Sequence, residues 1–338
     1  MALYCGMDLH STNTWVFIGD ELDHPVVSRR IPNRLESLLK ALEPHRDELV
    51  GIAVESTFNW YWLVDGLMNH GHRVQLVNPC AVQQYKGLKS TDDRHDAGWL
   101  AHLQRLDLLP TGYIYPQEDR PIRDLLRKRS KLVKQRTSNY LSVKNIMGRN
   151  TGETPSRNGV KQLEPEQVRE RLGREDLSLA VETTLAVIET INVQIDRLEA
   201  LVLERAVLRD DFRILRTIPG VGKVLGLLIM YETGEIGRFP SAGNYASYCR
   251  CVPATRTSNL KSKGLGNRKN GNPYLSWAFS EAAHFARRFQ PEAQRFYDRK
   301  VATTKPIIAA RALAHKLAKA TYFMLRDQVP YDAGLLFR

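Results

Sequence analysis

The sequence predicts an α/β domain followed by a mostly helical region, the two joined by a connector of long helices. Three observations carry this. Short apolar runs alternate with helical-period segments through the N-terminal third. A sustained heptad seam occupies the middle. Beyond Leu208 helical patterns dominate, broken by one glycine-rich turn and one basic stretch.

In chain order, Leu3 to Asp8 is a short apolar run that ends in an acid. Thr14 to Ile18 is a second strand, bounded by Gly19-Asp20, and Val26-Val27-Ser28 suits a third. From Arg34 to Leu42 the apolar residues Leu35, Leu38, Leu39 and Leu42 fall at helical spacing. Val50 to Glu55 is a strand of the buried type, again ending in an acid. A helix around Trp60 to Met68 follows, then the strand Val74 to Val77, closed by Asn78-Pro79. Three strands before the first helix predict a mixed sheet, an antiparallel meander extended by parallel strands. Asp93 opens a further helix that runs to about Leu106.

From Pro121 to Met147 the pattern is one long helix, and it is very basic. Within and beside it Arg120, Arg123, Arg127, Lys128, Arg129, Lys131, Lys134, Arg136, Lys144 and Arg149 meet a single helical acid, Asp124. One-sign charge on a helix suits phosphate contact better than a solvated face, which would mix signs. Asn150 to Gly159 is a turn-rich break, and Pro165 suits the first turn of a new helix. Leu177, Val181, Thr184, Ile188, Ile191, Ile195, Leu198 and Val202 then form an a/d seam, the signature of a coiled coil. Its partner is either the basic helix of the same chain or another protomer. Two helices, about Pro273 to Phe289 and Lys305 to Asp327, close the chain. The predicted organisation is 1–115, an α/β domain; 116–208, the connector; and 209–338, the helical domain.

Composition narrows the function. The 338 residues carry a net charge of +12, with 43% hydrophobic and 25% charged residues. Such a surplus suits a polyanionic partner. A membrane partner is not expected, because no apolar run approaches the roughly 18 residues that span a bilayer. The N-terminus lacks the basic-then-apolar order of a signal peptide. Cys5, Cys80, Cys249 and Cys251 read as reduced thiols of a cytoplasmic protein, since Cys249-x-Cys251 has no partner pair or nearby histidine for zinc.

Three constellations could carry chemistry. Asp8 and Glu55 close strands, while Asp93 and Asp96 share a helical face at i and i+3. Four converging carboxylates repel unless they hold a cation. Hard oxygen ligands suit Mg²⁺, with Mn²⁺ as the alternative, and such a centre can activate one phosphate oxygen while stabilising the leaving one. Asp92 is an alternative to Asp93, and Ser11 to Asn13 and Asn59 are candidates for supporting contacts. The second constellation is Ile218-Pro219-Gly220-Val221-Gly222-Lys223. Its glycines let backbone N–H groups approach a phosphate at a helix N-terminus, as in a helix-hairpin-helix loop. The third, Pro253 to Pro273, reads as a flexible basic loop lying along nucleic acid. It carries Arg256, Lys261, Lys263, Arg268 and Lys269 together with several hydroxyls. A serine there could conserve phosphodiester bond energy in a phosphoserine link.

Taken in order, these motifs resemble the insertion-sequence transposases of the DEDD type, which include the Piv-like DNA invertases and RNA-guided bridge recombinases. The resemblance runs from Gly6-Met7-Asp8 through Ala53-Val54-Glu55-Ser56 and Lys89 to Ala97. It continues with Ile218 to Gly222, Gly237 to Ser241 and Lys269-Asn270-Gly271-Asn272-Pro273-Tyr274-Leu275. It implies a RuvC-like, RNase H-type domain, a coiled-coil connector and a C-terminal transposase domain. The catalytic tetrad would be Asp8, Glu55, Asp93 and Asp96, and the nucleophile Ser258, with Ser262, Thr257 and Ser241 as alternatives. It also implies that the carboxylates and the serine act as one composite site, sometimes across protomers of a dimer or tetramer. Donor and target DNA would be the substrates. A structured RNA would supply sequence specificity by base pairing, in keeping with the lack of a recognisable helix-turn-helix. Arg123, Arg127, Lys128, Lys131, Lys134, Gly220, Gly222 and Lys223, with the loop cations, would contact nucleic acid. Two rivals use the same residues: a hydrolytic nuclease that leaves no protein–DNA adduct, and a nucleic-acid-binding scaffold without chemistry.

Overall fold

Every apolar run of the N-terminal third becomes a strand. β1 (Leu3–Leu9), β2 (Asn13–Gly19) and β3 (Pro25–Pro32) form an antiparallel meander; β4 (Leu49–Glu55) and β5 (Val74–Val77) join beside β1 in parallel, giving the order β3-β2-β1-β4-β5. The computed structural model describes residues 1–82, 92–206, 209–252, 255–258, 261–265 and 270–337. They divide into two compact units, Met1–Gln117 and Glu118–Arg338.

In the first unit both faces of the sheet are covered, so β1 and β4 read as continuous apolar runs rather than alternating ones. Leu3, Cys5, Met7 and Leu9 of β1 point into a core with Ile52 and Val54 of β4. That core is completed by Leu38 and Leu42 of α1 (Leu35–Leu42) and by Leu63, Val64 and Leu67 of α2 (Tyr61–Asn69). The other face carries Tyr4, Gly6 and Asp8, and against it lies α4 (Asp93–Arg105) through Ala97 and Ala101. A single turn, α3 (Pro79–Val82), follows β5.

The second unit opens with α5 (Arg120–Thr151), which runs to a left-handed cap at Gly152. Two short helices, α6 (Arg157–Lys161) and α7 (Pro165–Leu172), turn the chain into α8 (Glu175–Arg205). α8 packs antiparallel on α5 of the same chain. Val181 and Ile188 meet Tyr140, Val143 and Met147 at one end, while Val202 meets Ile122 and Leu126 at the other. Four seam residues one heptad apart, Val181, Ile188, Ile195 and Val202, are fully buried, and Leu177, Thr184, Ile191 and Leu198 are half-buried. A helical bundle follows: α9 (Asp210–Leu215), α10 (Lys223–Thr233), α11 (Ala242–Tyr248), α12 (Pro273–Phe289), α13 (Pro291–Val301), α14 (Pro306–Asp327) and α15 (Ala333–Phe337). Its core is built on Leu227, Tyr231, Tyr245, Phe279, Leu313 and Leu317.

One expectation is revised here. The stretch Pro253 to Pro273, read as a flexible basic loop, contains two antiparallel strands, β6 (Thr255–Ser258) and β7 (Lys261–Leu265). Thr255 and Thr257 supply the period-two β-branched pattern that favours a ladder. Among the described residues, no helix is long and apolar enough to cross a membrane. Of the four cysteines, Cys5, Cys249 and Cys251 are buried free thiols, and burial raises the pKa of each.

Candidate active site

Asp8 occupies the last turnout of β1 on the face that α4 covers. The approach of α4 is set by Gly6, two residues earlier. A Cβ there would lie 2.0 Å from the carbonyl oxygen of Ala97 and 2.9 Å from the amide nitrogen of Ala101. Only glycine lets the helix backbone rest directly on the strand. That seating carries the first turn of α4, with Asp93 and Asp96, into the electrostatic field of Asp8.

Asp92 has a different job. Its Oδ1 accepts the backbone N–H of His95 at 2.7 Å and caps α4, which accounts for an acid at that position without a role in chemistry. Glu55 is the last residue of β4. Met7 pairs with Val54 in the parallel ladder, so Asp8 and Glu55 are the next step, close enough for the Glu55 side chain to act on the Asp8 carboxyl.

Asp8 is 5% exposed. Burial pushes its carboxyl pKa above the usual range, and the charges of Asp96 and Asp93 push it further; His10 and the Glu55 hydrogen bond act in the opposite direction.

The sequence reading missed His10. Its Nε2 lies 3.2 Å from Asp8 Oδ2 and 3.2 Å from Asp93 Oδ2. One ligand atom from each of the three residues falls within 4.8 Å of the others. Nε2 is shielded from solvent and has hydrogen-bond geometry to neither carboxylate. The backbone of His10 is fixed on both sides. Its N–H donates to Asn13 O at 2.9 Å. Its carbonyl accepts Asn33 Nδ2 at 2.9 Å and Asn59 Nδ2 at 3.0 Å. Thr14 and Thr57 hydroxyls orient those two amides. Parity was the available signal: in Asp8-Leu9-His10, residues two apart on an extended chain share a face. Carboxylate oxygens with an imidazole nitrogen among them that makes no hydrogen bond fit a divalent cation, which would occupy the space that the acids cannot fill comfortably alone.

The basic helix divides into two sets of cations. Arg123 and Arg127, expected on nucleic acid, instead face Glu232 of α10, which is fully buried. Arg127 Nη2 donates to Glu232 Oε2 at 2.9 Å and Arg123 Nε at 3.2 Å. A buried carboxylate must be neutralised, and these two guanidiniums do so. Burial alone would raise the Glu232 pKa, but Arg127, Arg123 and Asn272 outweigh it and hold it below the ordinary range. Lys128, Lys131 and Lys134 are exposed.

In the glycine turn, Gly220 has φ +88° and its Cβ would lie 2.3 Å from Phe285 Cβ, so it is required by packing. Gly222 caps α10, leaves open space where a side chain would stand, and Lys223 begins the helix. Ser258 ends β6 opposite Lys261, and Thr257 pairs with Ser262. Arg256 and Lys263 lie on the same two strands, whereas Arg268 and Lys269 fall outside the described residues. Ser241 caps α11 by accepting Asn244 N–H at 3.2 Å.

The flanks of the hairpin are clamped together. Arg250 Nε donates to the carbonyls of Asn270 at 2.9 Å and Gly271 at 3.1 Å, and Asn272 N–H donates to Tyr248 O at 2.6 Å. The Asn272 side chain caps α12 and donates to Glu232 Oε2 at 2.7 Å. The Asn-Gly-Asn-Pro motif therefore has a structural explanation: φ +84° at Gly271, then a cap, then a proline in the first helical turn.

Comparison with known proteins gives the family. A DEDD-type family described as "Transposase" matches residues 5–149, and the "Transposase IS116/IS110/IS902 family" matches residues 212–298, together more than half of the chain. A "Probable family 20 transposase" of Pseudomonas aeruginosa is 24% identical over 97% of this chain and 98% of its own length. The transposase for insertion sequence element IS1111A of Coxiella burnetii is 26% identical, over 82% of this chain and 77% of its own. A pilin gene-inverting protein of Moraxella bovis is 26% identical, over 83% and 81%. With a mixed sheet, a helical C-terminal region and both family matches, the chain belongs to the DEDD-type insertion-sequence transposases, a family of DNA transposases and recombinases.

Proposed function

We propose that this protein cuts and rejoins DNA at the ends of an insertion sequence through a covalent serine–DNA intermediate that depends on a divalent cation at Asp8, Glu55, Asp93 and Asp96. The observation that carries the reading is the convergence of those acids on Asp8, whose carboxyl is raised by burial and by its acidic neighbours. A bound divalent cation would neutralise the acids and polarise a phosphate oxygen. The chain's own groups do the rest. Asp8 and Glu55 hold fixed positions at adjacent strand ends, and Asp93 and Asp96 are carried by the seated first turn of α4. The Ser258 hydroxyl attacks the phosphorus and gives up its proton. An Oγ–P bond forms as the bond to the departing deoxyribose oxygen breaks, and that oxygen takes up a proton. Attack by a second deoxyribose hydroxyl reverses the exchange and restores the serine, so the bond energy is conserved through the strand transfer.

The exposed Lys128, Lys131 and Lys134, with the hairpin cations, support binding of DNA and of a structured RNA that supplies sequence choice by pairing. A dimer or tetramer of the chain is the working assembly in this reading. The test is a covalent-adduct assay. The full chain is incubated with RNA transcribed from the flanks of its element, labelled donor and target DNA, and Mg²⁺ or Mn²⁺, then run on a denaturing gel. A DNA-linked protein band is expected in wild type and absent in Ser258→Ala and Asp8→Ala. Cutting without an adduct, retained in Ser258→Ala, would replace this reading with metal-dependent hydrolysis.

A further inference from the structure

We propose that His10 is itself a metal ligand, which makes the centre a mixed nitrogen–oxygen site that prefers a first-row transition ion to Mg²⁺; this rests on the reading of the acids as a metal centre. Three observations converge on it.

The first is spacing. Donor atoms on perpendicular axes of an octahedral ion, with bonds of about 2.1 Å, sit about 3.0 Å apart. Nε2 of His10 lies 3.2 Å from one oxygen of Asp8 and 3.2 Å from one of Asp93. The second is the placement of Nε2, which lies within ion-pair distance of both carboxylates and is committed to neither. A histidine serving as a cross-link would aim its N–H at one carboxylate, yet Nε2 is shielded from solvent and hydrogen-bonds to neither. The other histidines nearby on α4 are used differently. His102 Nδ1 sits 2.8 Å from Asp23 Oδ2, and His95 stacks on Trp99. The third is support. The His10 carbonyl is held by two asparagine amides from β3's end and the start of α2's approach, and each amide is fixed by a threonine hydroxyl. Ligands are commonly held in this way, with outer contacts fixing their direction. The side chain remains 39% exposed, which leaves an open side for substrate.

An imidazole nitrogen among carboxylates changes selectivity. Mg²⁺ takes hard oxygens and keeps its waters, whereas transition ions gain from imidazole. Mn²⁺ is the probe of choice because it is paramagnetic. Electron spin echo measurements on the full-length protein loaded with Mn²⁺ should show nitrogen coupling from a bound imidazole, lost in His10→Ala and in His10→Gln. Titration should show Mn²⁺ affinity falling at least about tenfold in both variants, with Mg²⁺ affinity changing by less than about threefold. Circular dichroism checks that each variant is folded, and two substitutions guard against a single misfolded one. Mn²⁺ bound at the acids without nitrogen coupling would overturn the role of His10 and leave the carboxylate centre standing. Wild-type protein that binds neither ion, and that matches Asp8→Asn, would overturn both.

Discussion

Replacing Gly6 with alanine adds one methyl group at the point where α4 rests on β1. The new Cβ would stand 2.0 Å from the Ala97 carbonyl oxygen and 2.9 Å from the Ala101 nitrogen, both backbone atoms that no rotamer change can move. Close-packed carbon and oxygen need a little over 3 Å, so helix and strand must separate by about 1 Å. Overpacking of that kind costs about 1–3 kcal/mol. The functional loss should be larger than the stability loss suggests. Asp93 and Asp96 precede Ala97 on the same helix and move with it, away from Asp8. A misplacement of about 1 Å at reacting groups can cost about a hundredfold in rate. The assay pairs Mn²⁺ titration and adduct yield with thermal unfolding followed by tryptophan fluorescence, which reports mainly the first unit because Trp15, Trp60, Trp62 and Trp99 all lie there. Gly98→Ala is the control: its Cβ would meet the Phe17 ring at 3.5 Å, an ordinary contact, so a helical alanine there should be neutral or slightly stabilising. Wild-type Mn²⁺ affinity and adduct yield in Gly6→Ala would refute the claim that this glycine seats the acids.

Asp8→Asn should stabilise the cation-free protein while abolishing stabilisation by Mn²⁺. The folded carboxyl pKa is raised above its ordinary 3.8, so the native form binds the extra proton and stability falls as pH rises from that value through the folded one. Two like charges about 5 Å apart repel by about 1 kcal/mol in water and about 3 kcal/mol at an effective dielectric of 20, which brackets the gain at neutral pH; a loss of stability would refute it. Glu232→Gln should destabilise by about 3–5 kcal/mol, because it strands buried guanidinium charge. Here the folded pKa is depressed, so the contribution is present above the ordinary 4.5 and lost as pH falls through the folded value. Wild type and variant should therefore converge in acid, and denaturant melts at stepwise pH would show parallel curves if the reasoning failed. Reversing Lys128, Lys131 and Lys134 to glutamate should weaken nucleic-acid binding and reduce the salt slope by about 2–3. An unchanged slope would mean that this face is only solvated.

The sheet was legible because its physics is local. Three apolar runs precede any helical period, so they had to pair as a meander, and the later strands follow helices and had to join in parallel. Asp8 and Glu55 were visible as acids closing such runs. His10 was not, because a lone histidine beyond a strand end looks like any polar turn residue until Asp8 and Asp93 are seen beside it. Asp92 and Asp93 could not be separated by spacing, since the choice depends on which acid caps the helix. Arg123 and Arg127 were misread for a matching reason. Their partner lies over a hundred residues away, and a local charge pattern cannot show a buried acid arriving from another helix. The heptad seam fixed which residues of α8 are buried, but not that α5 of the same chain would cover them.

The two buried acids, Glu232 and Asp8, differ on physical grounds. Glu232 and Asp8 are both almost inaccessible to solvent. Around Glu232 the fold supplies two guanidiniums and an amide, the carboxyl stays ionised below its ordinary range, and the result ties α5 to the cap of α12 at the base of the serine-bearing hairpin. Around Asp8 the fold supplies more acids and one histidine, still raises the carboxyl above its ordinary range, and holds the helix that carries two of those acids in place through a glycine. A cluster selected for stability alone would have paired that charge, as at Glu232. Leaving it only partly compensated by His10 costs folding energy that a bound cation would recover, which is why perturbed acids of this kind mark sites of chemistry more reliably than acids in general.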